Sequence, residues 1–326
     1  MSNQGYLDQP ELHAKAPYRA GLLTFPGNLQ KALNEAKEDP KKIMFGVAQG
    51  IPSVFVTKLL AAAQPDFIWL DVEHGMYNRL TLFDCIQAAQ FHSEGKTMVM
   101  VRVPKHDEIS LTTALDAGAA GIVLPHTESA DDVKALIKEA FYPPLGSRSY
   151  SPWTYFPGIS EKSIYPGDGF NIQTGNRHIA IIAQIESVKG IENIDEIAAV
   201  PGVAGLMFGR GDFSMDAGIA LSMGEPPDPI FTAAMDKFVA AGKKYGKPLF
   251  GLAGASNASG MKTMIDEGYA AICVGLDTWS LTGMVLSGVS GAKALVEKVE
   301  AESAAAANGA AVVVPVNGSA KETESK

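Results

Sequence analysis

Short apolar runs rich in β-branched residues recur along the chain, and each is followed by a stretch in which apolar positions return every three to four residues. The first pattern is that of a strand buried on both faces, the second that of an amphipathic helix. Eight runs of the first kind occur, at 43–47, 67–70, 98–102, 121–124, 179–185, 203–208, 248–252 and 271–274. Helical stretches at 54–63, 79–93, 108–117, 130–141, 191–200, 229–245 and 256–267 separate most of them, and a longer one at 279–303 follows the last. This alternation predicts a parallel sheet. No segment between the runs reads as an interdomain linker, so a single α/β domain, a closed (β/α)8 TIM barrel with an extended C-terminal helix, is preferred to two domains. A helix at 29–37 precedes the first strand and is expected to cap the bottom of the barrel.

The phrases Asp116-Ala-Gly118 and Asp266-Glu-Gly268 each stand where a helix gives way to a buried strand. Glycine there supplies the left-handed backbone that ends a helix, which marks both joints as structural. The connection from 142 to 177 is out of proportion: it carries five prolines and the aromatics Tyr150, Trp153, Tyr155, Phe156, Tyr165 and Phe170. A loop of that length and apolarity predicts a lid or a subunit-contact segment. The domain plan is then an N-terminal extension at 1–27, a barrel domain at 28–303 and a disordered tail at 304–326.

An apolar fraction of 46% with only 19% charged residues supports a compact core and argues against disorder. The net charge of -9 excludes a generally basic nucleic-acid surface. It also opposes an anionic substrate unless a local cation offsets it. Four acids and two lysines in 300–326 place -2 of that charge at the C-terminal end of the chain. No run approaches the roughly 20 apolar residues of a membrane span, and the polar first fifteen residues show no secretory signal. Cys85 and Cys273 lie far apart in apolar segments and read as buried reduced thiols, which fits a cytoplasmic protein.

In such barrels reactive groups stand at the C-terminal ends of the strands. There the sequence places Asp71 and His74 after the second run, Arg102 at the third, His126 after the fourth, Gln184 and Glu186 at the fifth, and Arg210, Gly211 and Asp212 after the sixth. Glu186 and Asp212 offer two hard oxygen ligands for a divalent cation such as Mg²⁺ or Mn²⁺. Either alone reads equally well as a helix cap. Arg102, deep in the mouth, is either an ion-pair partner of Asp71 or Glu186 or a clamp on a developing oxyanion. Asp71 and His74 form an Asp-x-x-His pair, the pattern in which a carboxylate orients an imidazole as a general base. His126 is a second candidate for that role or for binding substrate. The Gly-x-Gly at Gly209 to Gly211 offers backbone N–H groups to an anion, although alone it is more often a tight turn.

The phrases at 67–75 (FIWLDVEHG), 101–103 (VRV), 142–148 (YPPLGSR), 183–187 (AQIES) and 200–214 (VPGVAGLMFGRGDFS) together resemble the HpcH/HpaI aldolase/citrate lyase family of metal-dependent pyruvate aldolases, and within it the macrophomate synthase branch. The resemblance covers about residues 43–281. It implies a carbon–carbon lyase that forms a divalent-metal-bound pyruvate enolate by retro-aldol cleavage of a 4-hydroxy-2-oxo acid or by oxaloacetate decarboxylation. Carbon–carbon bond formation with an electrophile could follow. It further implies Mg²⁺ (or Mn²⁺/Co²⁺) on Glu186 and Asp212, with Gln184 beside it. The Gly211 and Asp212 amides would hold a substrate carboxylate, Arg102 would steady the enolate oxygen, and the Asp71/His74 pair would move protons. A homohexamer, a trimer of dimers, is implied as well. Two positions depart from the common aldolase pattern. Arg210 stands where the family usually has proline, and His126 stands where simple aldolases have an apolar residue, while Phe170 replaces a tyrosine expected in the synthase branch. An acyl-CoA lyase or a non-catalytic binding barrel are the alternatives; the first lacks an obvious basic cluster for the nucleotide.

Overall fold

A computed structural model describes residues 27–150, 172–220, 228–254 and 257–310. Eight parallel strands close into a barrel in chain order, β1 (Met44–Gln49), β2 (Phe67–Asp71), β3 (Met98–Arg102), β4 (Gly121–Leu124), β5 (Ala180–Ile185), β6 (Val203–Phe208), β7 (Leu249–Leu252) and β8 (Ala271–Leu276), with β8 pairing back to β1. Every predicted strand is present within two residues of its expected ends. The predicted helix at 191–200 is two shorter ones, Val188–Glu192 and Ile194–Ala199, joined at Asn193, which ends the first and opens the second.

Successive side chains of a strand point to opposite faces, so each strand serves two apolar layers. Ile68 and Leu70, Val99 and Val101, Ile122 and Leu124 face outward into the layer beneath the helices. Phe67, Met98, Met100, Val123, Ile182 and Phe250 fill the barrel interior. Leu29, Ala32, Leu33 and Ala36 of the helix Leu29–Glu38 belong to that interior layer, so the predicted N-terminal cap is a plug. Continuing the period of two past this layer brings Trp69 and Asp71, Arg102, Gln184 and Glu186 to the inner face at the mouth. Gly118 and Gly268 end their helices with φ of 100° and 87°, as their positions predicted.

Both described ends of the long 142–177 connection stand at the end of the barrel opposite the mouth. The backbone N–H of Tyr142 donates to Asn176 Oδ1 and the Asn176 amide donates back to the Tyr142 carbonyl, each at 2.9 Å. Arg148 reaches Asp116, one residue before the end of Glu108–Ala117, at 2.7 Å. The last part of the predicted loop is helical, Ile172–His178. A connection from a helix end to the next strand start begins and ends at the bottom of such a barrel, and the part of it expected to form a lid or a subunit contact is not among the described residues. Residues 151–171, with Phe170, lie outside the described residues.

The barrel unit extends to Thr278, and a second unit begins at Trp279. The helix Asp277–Ala310 spans that boundary and runs past the predicted end at 303. Its Ala-rich stretch at 304–310 is helical rather than disordered, as the helix propensity of alanine favours. Among the described residues no helix is long and apolar enough to cross a membrane. Cys85 and Cys273 are buried and free.

Candidate active site

The parallel register pairs Asp71 with Arg102 across β2 and β3. Neighbours in register on the inner face are close enough for a two-pronged ion pair, and the Arg102 Nε and Nη2 groups donate to the two Asp71 oxygens at 2.8 and 2.6 Å. Arg102 lies over the Trp69 ring at 5.2 Å and faces Glu73 Oε2 at 3.2 Å through Nη1. Burial would lower its pKa, but the hydrogen bonds to Asp71 and the charges of Asp71, Glu73 and Glu186 outweigh it and raise the value. Arg102 is thus a fixed cation that, after Asp71 and Glu73, still has two of its five N–H groups for a ligand.

Glu186 follows β5 and is 1% exposed. One oxygen accepts the His126 backbone N–H at 2.6 Å and the other accepts the Gln184 Nε2 group at 2.6 Å. Burial, with the charge of nearby Asp212 in the same direction, raises its pKa against the opposing pull of the His126 contacts and Arg102. Gly209 makes this packing possible, since a Cβ there would collide with Glu186 Oε2. Asp212 lies in the first turn of Arg210–Asp216, whose N-terminus has no side-chain cap, so the first-turn N–H groups of Gly211 and Asp212 have no capping side chain.

These residues fit a hard divalent cation. Two carboxylates, one of them near enough for its charge to raise the pKa of Glu186, are the usual protein share of a Mg²⁺ shell. The buried Gln184 Oε1 beside them has no hydrogen-bond partner, and an amide oxygen suits the same ion. Among the described residues no group of three His, Cys, Asp or Glu side chains forms a metal cluster.

The histidines differ from expectation. Asp71 is engaged by Arg102, and only the backbone N–H of His74 reaches it, at 3.4 Å. The His74 ring faces Glu73 Oε2 at 3.8 Å and its side chain is 66% exposed. His126 sits across the mouth, its Nδ1 3.6 Å from Glu186 and its Nε2 3.7 Å from Glu73 Oε1. Glu73 therefore touches three of the predicted residues, and the sequence reading passed over it. The available signal was a third ionisable side chain within the Asp71–His74 phrase. Arg210 turns outward and stacks over Phe231 at 4.4 Å, so its charge caps an aromatic cluster instead of augmenting the mouth.

The HpcH/HpaI aldolase/citrate lyase family profile matches residues 53–283. The chain belongs to this family. Among solved family structures, macrophomate synthase is 54% identical, with a TM-score of 0.82 over 90% of this chain and 98% of its own. A hydroxypyruvate/pyruvate aldolase of Paraburkholderia phytofirmans is 30% identical over 80% of this chain and 95% of its own length. A 2-dehydro-3,6-dideoxy-6-sulfogluconate aldolase of Pseudomonas putida is 30% identical over 69% and 83%. As a family member the chain is an enzyme of the aldolase and lyase class.

Proposed function

We propose that the protein cleaves a small 2-oxo acid to release the enolate of pyruvate, from a 4-hydroxy-2-oxo acid by retro-aldol cleavage or from oxaloacetate by decarboxylation. The observation that carries this reading is the placement of Arg102, a buried cation with donors to spare, in the same mouth as the carboxylates of Glu186 and Asp212. Glu186 and Asp212, with Gln184 beside them, would hold Mg²⁺ (or Mn²⁺/Co²⁺), and the bound cation supplies Lewis-acid polarisation of the 2-oxo group and a template for the substrate.

The chain's own groups do the rest. The first-turn N–H groups of Gly211 and Asp212 bind the substrate carboxylate. Arg102 donates to the 2-oxygen as charge develops there, and its fixed orientation on Asp71 means that little reorganisation accompanies the reaction. In the retro-aldol direction His74 takes the proton of the 4-hydroxyl, the C3–C4 bond breaks with its electron pair passing into the enolate, and the aldehyde departs. His74 then gives that proton to C3, which yields pyruvate and restores the neutral imidazole. Decarboxylation breaks the same bond and releases CO₂ without a base.

His126 at the far side of the mouth, together with the 54% identity to macrophomate synthase, favours capture of the enolate by an electrophile as a second outcome. The same reading makes the protein a cytoplasmic homohexamer. It is supported by the helix Asp277–Ala310, which exposes Trp279, Met284, Leu286 and Leu295; light scattering would give the mass. The functional test is pyruvate release from oxaloacetate and from 4-hydroxy-2-oxo acids with Mg²⁺. Chelation by EDTA should abolish it and Mg²⁺ or Mn²⁺ restore it, and Glu186→Gln and Asp212→Asn should each lose on the order of 10³-fold in rate. Full activity in EDTA would overturn the mechanism.

A further inference from the structure

The Asp-x-x-His spacing points to Asp71 as the carboxylate that orients the general base, but the geometry assigns Asp71 elsewhere. Both of its oxygens accept Arg102 N–H groups, and it meets His74 only at the backbone. Glu73 is placed differently. It is 14% exposed, and its Oε2 is buried without a hydrogen-bond partner. Each of its oxygens faces one imidazole Nε2, His74 at 3.8 Å from Oε2 and His126 at 3.7 Å from Oε1, while Arg102 Nη1 stands 3.2 Å from Oε2. One carboxylate therefore joins a ring from the β2 loop, a ring from the β4 loop and the guanidinium at the end of β3.

We propose that Glu73 is the positioning residue of the site, setting the orientation and tautomer of His74 and tying that imidazole to His126 and Arg102, whereas Asp71 serves Arg102 alone. A carboxylate beside one ring nitrogen favours the proton on that nitrogen and leaves the other as the acceptor. With Nε2 turned to Glu73, Nδ1 of His74 is the atom that takes a substrate proton. The side chain is otherwise largely in solvent, so without Glu73 the ring would sample other rotamers and spend less time in reach of substrate.

This inference rests on the pyruvate-enolate reading, and the experiment separates the two. Exchange of the C3 protons of pyruvate into D₂O, followed by proton NMR with Mg²⁺ present, reports enolisation without an acceptor. The ring resonances of ¹⁵N-histidine-labelled protein, recorded without metal and assigned with His74→Gln, report the state of His74 independently of activity. Glu73→Gln should slow exchange at least about tenfold, with the KM for pyruvate within about twofold of the parent. It should also displace the His74 resonances. Glu73→Asp, which keeps the charge on a shorter arm, should recover part of both effects and guards against a folding defect in the amide variant. Exchange by Glu73→Gln within about twofold of the parent, or unmoved His74 resonances, would overturn the proposal. If the parent protein with Mg²⁺ exchanges no pyruvate protons, the enolate reading fails, and the His74 resonances still decide the placement of Glu73.

Discussion

Arg102 and Arg148 are buried almost equally, at 7% and 8% exposure. Each bonds an aspartate, Asp71 at 2.6 and 2.8 Å and Asp116 at 2.7 Å, and each lies over an aromatic ring, Trp69 at 5.2 Å and Tyr142 at 4.7 Å. The local chemistry is nearly the same, yet only one pair stands at the mouth, where the proposed reaction is placed. The difference lies in the end of the barrel and in the surplus of acid. Arg102 is at the mouth and faces two carboxylates, Asp71 and Glu73, with Glu186 near enough to act on its ionisation. Arg148 pairs with Asp116 at the opposite end, where it fastens the 142–150 segment to Glu108–Ala117. A buried arginine is thus uninformative until its location and its neighbours' charges are known.

The sharpest way to break this comparison is to remove each guanidinium in turn. Arg102→Met should lower kcat/KM for pyruvate formation on the order of 10³-fold, since an oxyanion loses its preorganised donor; steady-state kinetics measures it. Arg148→Met should leave kcat per folded molecule unchanged but lower stability by about 3 kcal/mol, because Asp116 is left without its partner. Urea unfolding followed by fluorescence would read that loss, and an equal fall in kcat would erase the distinction between the two ends. At the same bottom end, Leu33→Ala opens a cavity in the plug and should cost about 2–3 kcal/mol with activity retained at low temperature.

The smallest effect is a slope. The raised pKa of Glu186 means that, without metal, the folded chain holds a proton that the unfolded chain releases as pH rises above the ordinary glutamate value of 4.5. Stability contributed by that proton is present at and below this value and is lost as pH rises through the folded pKa. Metal-free Glu186→Gln should accordingly be more stable than the parent at pH 7, with the difference vanishing towards pH 4.5. Paired urea titrations across this range check the sign, and Mg²⁺ should reverse the pH 7 order by stabilising the parent alone.

Alternation of strand and helix patterns was enough to place all eight strands, because a strand buried on both faces tolerates little besides β-branched and other apolar residues. The strand-end residues Asp71, Arg102, Gln184 and Glu186 were legible for the related reason that polar groups interrupt such runs only where they reach the mouth. What escaped was contact between loops. Spacing suggested that Asp71 serves His74, whereas register hands Asp71 to Arg102 across the sheet, a relation that sequence distance does not carry. Glu73 went unremarked because its partners come from three separate strand ends. Arg210 stood among the strand-end residues in the sequence, and its direction was fixed by Phe231, more than twenty residues downstream.

It is the backbone of His126, at a φ of 45°, that grips Glu186. That backbone hydrogen bond, unlike the contact of the ring Nδ1 with Glu186, does not depend on the side chain carried there, so long as the residue accepts a left-handed conformation, as asparagine, aspartate and glycine do. Position 126 is a place where the repertoire of acceptors can be varied by mutation while the carboxylate anchor stays in place. On the proposed mechanism, a library restricted to those residues would explore new electrophiles without dismantling the site proposed to make the nucleophile.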